Sequence, residues 1–399
     1  MSATYLMPTY NRQPISFTRG SGSWLYTKDE TPYLDALTGI AVCGLGHCHP
    51  KVTEAIQQQA ATLVHTSNLF GIDWQERAGE ALCNAAQMDS VFFANSGAEA
   101  NEAALKLARL YAHQQGFKRP KVIVMEHSFH GRTLLSLSAT ANPKAREGFY
   151  TLDEDFIRVP FADIAAIEQA AQDHEDICAV FVEPIQGEGG LNTAANGFTY
   201  LEQLQAVCDS HNWLFMLDEV QTGNGRTGKY FAYQHSNARP DVLTTAKGLG
   251  NGFPVGACMV RGRANGLFGA GSHGSTYGGT PLASRVVHSV YEVLANGDIM
   301  DNGDIMDNAV TEGQFIRNGV VEALGQYGVS TRGAGMMIGI ALPDEMDCSK
   351  LVDRARDEQK LIINVTGGHV IRLLPPLNMT RDESSQVVER LVNLLKPSF

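Results

Sequence analysis

From about residue 88 onward, short apolar runs alternate with longer stretches of helical periodicity, and this alternation limits the fold more than any other feature of the chain. "VFFA" precedes "EANEAALKLARLYAH", "KVIVME" comes next, "ICAVFVEP" precedes "TYLEQLQAVCDSH", and "WLFMLDEV" and "DVLTTAK" come after. Apolar runs spaced by helices pair as parallel strands with helices on both faces, so the expected class is α/β with a mostly parallel central sheet. Such a sheet binds ligands beyond the C-terminal ends of its strands. Polar clusters succeed these runs in turn: "NSGAE", "HSFHGRT", "EPIQGEGG", "DEVQTGNGRTG" and "AKGLGNG".

At 399 residues the chain exceeds one ordinary domain. The turn-rich "RGSGSWLYTKDETPYLDAL" predicts a small β element, and the expected division is 1–50 and 286–399 as the two parts of a small α+β domain around a large domain at 51–285. A last helix is expected in "TRDESSQVVERLVNLLK", where Thr380 and Glu383 have capping-box spacing and Val387, Val388, Leu391, Leu394 and Leu395 form one apolar face. The hexamer at 296–301 recurs at 302–307; two copies do not make a solenoid, and a duplication in a surface loop or helix start is expected. Its aspartates lack EF-hand spacing.

A formal net charge of −12 argues against a nucleic-acid surface, and no apolar run reaches the roughly 18 residues of a membrane span, so a cytoplasmic location is expected. The scattered cysteines suit reduced thiols. "CGLGHCHP" could imitate a metal site, but adjacent Cys48 and His49 are awkward ligands with no second pair at finger-like spacing; a structural turn is expected and no metal.

In "NSGAEANEA" the chain turns at Gly97 into a helix, with Ser96 and Glu99 at capping-box spacing. Either this is a capped helix alone, or the amides near Gly97 and Ala98 receive a phosphate, helped by Ser275 and Thr276 of "HGSTYGG". Asp218 ends the apolar run "WLFML", where a carboxylate is costly unless paired. Beyond it, Val220 offers an apolar surface and Gln221 a neutral donor and acceptor. Lys247 also ends an apolar run, and its glycines come after it, whereas a P-loop lysine comes after its glycines. A lysine so placed can stay neutral long enough to attack a carbonyl.

An amine nucleophile, a buried carboxylate, a phosphate-binding helix start and the aromatic Phe129 together suit pyridoxal 5'-phosphate: aldehyde on Lys247, pyridinium at Asp218, phosphate at Gly97 and Ala98, ring between Phe129 and Val220. The ordered motifs "YLDALTGIAVCGLGHCHP", "HTSNLF", "FFANSGAEANEAALKLAR", "HSFHGRT", "EPIQGEGG", "LDEVQTGNGRTG", "AKGLGNGFPVGA", "HGSTYGG" and "IRLLPPL" closely resemble the class III pyridoxal-phosphate aminotransferases, and among these the acetylornithine branch. The resemblance spans nearly the whole chain.

That resemblance implies a fold type I homodimer with active sites shared at the interface, Thr276 reaching the phosphate of the partner's cofactor. It makes Lys247 the Schiff-base lysine, Asp218 the pyridinium partner and Gln221 a hydrogen-bond partner of the cofactor's phenolic oxygen. Arg132 is implied to hold a substrate carboxylate and Arg372 the α-carboxylate of glutamate, with Glu188 pairing with Arg372 when the other substrate is bound. Ile40, near where ornithine δ-aminotransferases carry a tyrosine, favours an acylated substrate. The implied reaction moves the amino group of N2-acetylornithine to 2-oxoglutarate in arginine biosynthesis, with N-succinyl analogues as further substrates. The alternatives are an ornithine, succinylornithine or 4-aminobutyrate aminotransferase and, outside the enzymes, a nucleotide-binding regulator. Ala98 replaces the family's usual threonine, and Thr280 its asparagine.

Overall fold

The computed structural model describes residues 5–296 and 303–398. In chain order its strands are β1 (Arg19–Ser21), β2 (Trp24–Tyr26), β3 (Pro32–Asp35), β4 (Ser90–Ala94), β5 (Lys121–Met125), β6 (Phe156–Val159), β7 (Ile177–Val182), β8 (Leu214–Asp218), β9 (Val242–Thr245), β10 (Gly256–Val260), β11 (Ser330–Ala334), β12 (Met337–Ala341), β13 (Leu361–Ile362), β14 (Asn364–Thr366) and β15 (Val370–Leu373).

The central sheet has the order β4-β10-β9-β8-β7-β5-β6. Only β10 runs against its neighbours. In the middle, β7 and β8 are buried along their whole lengths, which is why they read as continuous apolar runs without alternation. The helix Gly97–Gln114 buries Ala100, Ala103, Ala104, Leu107, Ala108 and Tyr111 as its periodicity predicts, and the alanines let it lie close to the sheet. The alternation thus yields the expected α/β architecture, with β6 and β10 as additional strands.

Two four-stranded sheets flank this core, β1-β2-β3-β13 and β11-β12-β15-β14. In the first, β13 runs parallel to β3, so an early and a late segment share one sheet. The closing helix Arg381–Leu395 reinforces that link. Its capping box forms as expected, and the same Glu383 carboxylate accepts from Trp24 Nε1 at 2.8 Å and Ser23 Oγ at 3.1 Å. Glu383→Ala is therefore expected to cost about 2 kcal/mol, a lost cap plus a stranded indole N–H. A urea midpoint unchanged from wild type, monitored by tryptophan fluorescence, would contradict this.

Residues 297–302 of the duplicated hexamers lie outside the described residues. Asp304, in the second copy, caps the helix Ile305–Leu324, accepting the amides of Met306 and Asp307 at 2.8 and 2.9 Å. Thr280 caps the preceding helix Pro281–Asn296, accepting from Ala283 N at 3.4 Å, a role threonine shares with asparagine. Among the described residues no helix is long and apolar enough to cross a membrane, and no group of His, Cys, Asp or Glu is arranged to hold a metal ion.

Candidate active site

The C-terminal ends of the central strands open into a cavity of about 340 Å³. Ser96, Gly97, Ala98, Phe129, Arg132, Asp218, Val220, Gln221 and Lys247 line it, so most of the residues singled out in the sequence meet in one place. Lys247 lies just beyond β9 in left-handed backbone, φ 48°, at the start of a short 3-10 turn. Its side chain is half-buried. Desolvation lowers the amine's pKa, with Glu188, Asp218 and Glu183 acting the other way and Arg372 adding to the fall.

Asp218 closes β8 and is buried. Its Oδ1 accepts from Val220 N at 3.0 Å, and its Oδ2 from Asn101 Nδ2 at 2.7 Å and His130 Nδ1 at 2.8 Å. Thr244 Oγ1 donates to Asn101 Oδ1 at 2.6 Å, which orients the amide. The His130 ring stacks on Phe181 at 4.4 Å. His130 and Asn101 thus supply the pairing that a carboxylate at the end of a buried strand needs.

At the head of the helix Gly97–Gln114, a Cβ on Gly97 would lie 2.7 Å from Val220 Cγ1, so only glycine keeps the helix start against that wall. Ser96 Oγ accepts the Glu99 amide at 3.2 Å, but the expected capping box is half-formed: Glu99 instead takes Asn95 N and Nδ2, both at 2.8 Å. Asn95 Nδ2 in turn meets Ser275 Oγ at 3.1 Å. Ser275 is therefore one residue removed from the cavity, and Thr276 is exposed outside it.

Arg372 on β15 is 1% exposed and pairs with Glu188 at 2.6 Å; Glu188 is 37% exposed. Asn364 Oδ1 accepts from Arg372 Nε at 3.1 Å and Nη2 at 2.8 Å, and Gln221 Oε1 lies 3.4 Å from Nη1, linking the pair to the cavity. Arg132 is exposed beside the Phe129 ring, 5.4 Å from its centre. Ile40 is not a cavity residue; it packs with Ala41, Ile185, Leu191 and Leu374, while Val42 reaches the wall.

Sequence reasoning missed Asn101, His130, Glu183, Thr244 and Asn364. Buried Glu183 ends the β7 run much as Asp218 ends β8, and its carboxylate accepts Phe129 N at 2.9 Å and Gly187 N at 3.1 Å. Burial raises its pKa. An acid closing an apolar run was the available signal for it, and one polar residue on an alanine face was the signal for Asn101. Nothing in the chain marks Asn364.

The cavity fits pyridoxal phosphate on three counts. A desolvated amine, a buried carboxylate that receives three donors and a glycine-headed helix start match the cofactor's aldehyde, ring nitrogen and phosphate, between the apolar walls Phe129 and Val220.

An acetylornithine aminotransferase of Nitrosomonas europaea is 48% identical over 395 residues, covering 98% of each chain. A structure of the Toxoplasma gondii ornithine aminotransferase, with partial occupancy of pyridoxal phosphate at its active site, superimposes with a TM-score of 0.92 at 31% identity, covering 99% of this chain and 92% of that one. The acetylornithine aminotransferase of Elizabethkingia anophelis gives a TM-score of 0.85 at 30% identity over 98% and 96%. The pattern of class-III aminotransferases matches residues 5–395, through every strand of the central sheet and both ends of the cavity-forming segment. The chain belongs to the class III aminotransferases, enzymes that depend on pyridoxal 5'-phosphate.

Proposed function

We propose that this enzyme transfers the amino group of N2-acetylornithine to 2-oxoglutarate, giving N-acetylglutamate 5-semialdehyde and glutamate, as a step of arginine biosynthesis in the cytoplasm. The observation that carries the proposal is the Arg372–Glu188 pair. One pocket must accept an amino acid with a neutral acylated tail and then a dicarboxylate. With Glu188 in place, the guanidinium charge is masked. With Glu188 withdrawn, it is free for a carboxylate. Burial decides which partner moves: Arg372 is enclosed and anchored by Asn364, whereas Glu188 is partly solvated and loses less on leaving.

Bound in the cavity, pyridoxal phosphate supplies an aldehyde that takes up amines and a cationic ring that draws electrons from the adjacent C–H bond. The chain's residues do the rest. Gly97 and Ala98 offer backbone amides to the phosphate, and the Ala98 amide serves although its threonine hydroxyl is missing. Asp218, fixed by His130 and Asn101, keeps a proton on the ring nitrogen. Lys247 carries the cofactor at rest and then moves a proton at Nζ. Gln221 meets the phenolic oxygen, Arg132 holds a substrate carboxylate at the mouth, and Val42, Val220 and Phe253 exclude water.

The working unit in this proposal is a homodimer, with Thr276 completing the partner's phosphate site. Its exposed position, beside the 63% exposed Tyr277 and near the exposed Leu69 and Phe70, supports that arrangement. Segments 1–50 and 286–399 are the two parts of the small domain in this proposal, and 51–285 the large one.

Steady-state rates with N2-acetylornithine, N-succinylornithine, ornithine and 4-aminobutyrate test the assignment, and preference for a free diamine donor would overturn it. Glu188→Gln is expected to lower kcat/KM for N2-acetylornithine by about one to two orders of magnitude while sparing the glutamate half-reaction. Equal losses in both half-reactions would argue against a mobile mask.

A further inference from the structure

Residues 38–41 wind left-handed, with φ of 50° at Thr38, 63° at Gly39, 70° at Ile40 and 62° at Ala41. Only the glycine is at ease there; β-branched Thr38 and Ile40 crowd the following carbonyl. Such a turn persists only where its surroundings over-determine it. Buried Asp35, at the end of β3, supplies that constraint: its Oδ1 accepts Leu37 N at 2.9 Å and Thr38 N at 2.8 Å, and its Oδ2 meets His47 Nε2 at 2.8 Å. From the other side Thr38 Oγ1 donates to the Leu374 carbonyl at 2.7 Å.

The turn touches the specificity machinery on two sides. Ile40 and Ala41 pack with Ile185 and Leu191, which bracket Glu188, and with Leu374, two residues beyond Arg372. Val42, directly after the turn, is cavity wall. His47 is a charged partner for Asp35: burial opposes its protonation, but hydrogen bonds and charge from Asp35 and Cys43 outweigh burial and raise its pKa to about 10.

We propose that the Asp35–His47 pair is a positioning device for the left-handed turn, and through it for Val42, the cavity-wall residue next to the turn, against which the neutral tail of the amino donor is received. This rests on the reading of that donor as an acylated diamino acid. Neither residue touches the reacting atoms; they act through the turn.

The test uses the holoenzyme of His47→Gln and of Asp35→Asn, the latter keeping a carbonyl oxygen for the Leu37 and Thr38 amides. The KM for N2-acetylornithine is expected to rise about tenfold, with kcat and the KM for 2-oxoglutarate within about twofold of wild type and the cofactor's visible spectrum unchanged. Ala41→Gly added to His47→Gln is expected to recover most of that loss, because glycine holds left-handed backbone unaided. An unchanged KM for N2-acetylornithine, or parallel rises for both substrates, overturns the proposal. Hydrogen exchange at Leu37 and Thr38 gives a reading free of substrate: about tenfold faster in His47→Gln is expected, and unchanged protection overturns it. A wild-type preference for free ornithine defeats the donor reading alone, and the exchange result then decides the positioning role.

Discussion

Lys247→Ala is expected to lower kcat by about four orders of magnitude and to leave a protein that binds pyridoxal phosphate without retaining it after borohydride treatment. In the proposed mechanism the residue has two tasks, carrying the cofactor and moving a proton, and among the described residues no other amine lines the cavity: Arg132 and Arg372 are guanidinium groups that do not deprotonate. Its desolvated position favours the neutral amine more than an ordinary lysine does. That position costs stability. With the folded pKa below the ordinary 10.5, the unfolded chain binds the proton more readily, so this residue's contribution rises with pH through the interval between the two values. Alanine removes that slope, and the cofactor-free variant is expected to melt no lower than the cofactor-free wild type at neutral pH. Wild-type turnover in the variant would refute the assignment.

The parts of this enzyme that could be read from the chain are those where a local pattern has one physical solution. Buried parallel strands demand unbroken apolar runs, and β7 and β8 show them; a chargeable residue at the end of such a run is costly, and Asp218 and Lys247 stood out for that reason. The acid Glu183 carries the same mark and went unread, while Glu188 in the same motif came from the family resemblance rather than from its own local pattern. The edge strand β6 and the reversed β10 were harder, since "FIRV" and "GACMV" are short and their pairing depends on partners far along the chain. The Ser96–Glu99 capping box shows the limit of spacing rules. Spacing allowed it, but Asn95 presented two donors, backbone and amide, and the Glu99 carboxylate went to both. Likewise the left-handed turn at 38–41 has a single glycine, and its conformation results from Asp35, His47 and Leu374 rather than from its own residues.

Asp218→Ala is expected to slow proton removal from the amine-bearing carbon of the donor by about 10²–10³-fold while the cofactor stays bound. The carboxylate is enclosed and accepts hydrogen bonds from three donors, so in the proposed mechanism it would need no reorganisation to hold a proton on the ring nitrogen. In the proposed site, retention would depend elsewhere, on Lys247 and on the amides of Gly97 and Ala98. Truncation also strands the donors of His130 and Asn101, each at a cost of about 1–3 kcal/mol, and a lower melting temperature would accompany the rate loss. Asp218→Asn separates the two effects. It keeps an oxygen acceptor for neighbouring N–H groups but carries no charge, so stability should return most of the way toward wild type while proton removal stays slow. An isotope-labelled donor tracked through a single turnover measures that step directly. If the step runs at the wild-type rate in either variant, charge at the ring nitrogen is not what drives it, and the His130–Asp218–Asn101 arrangement would be scaffolding alone.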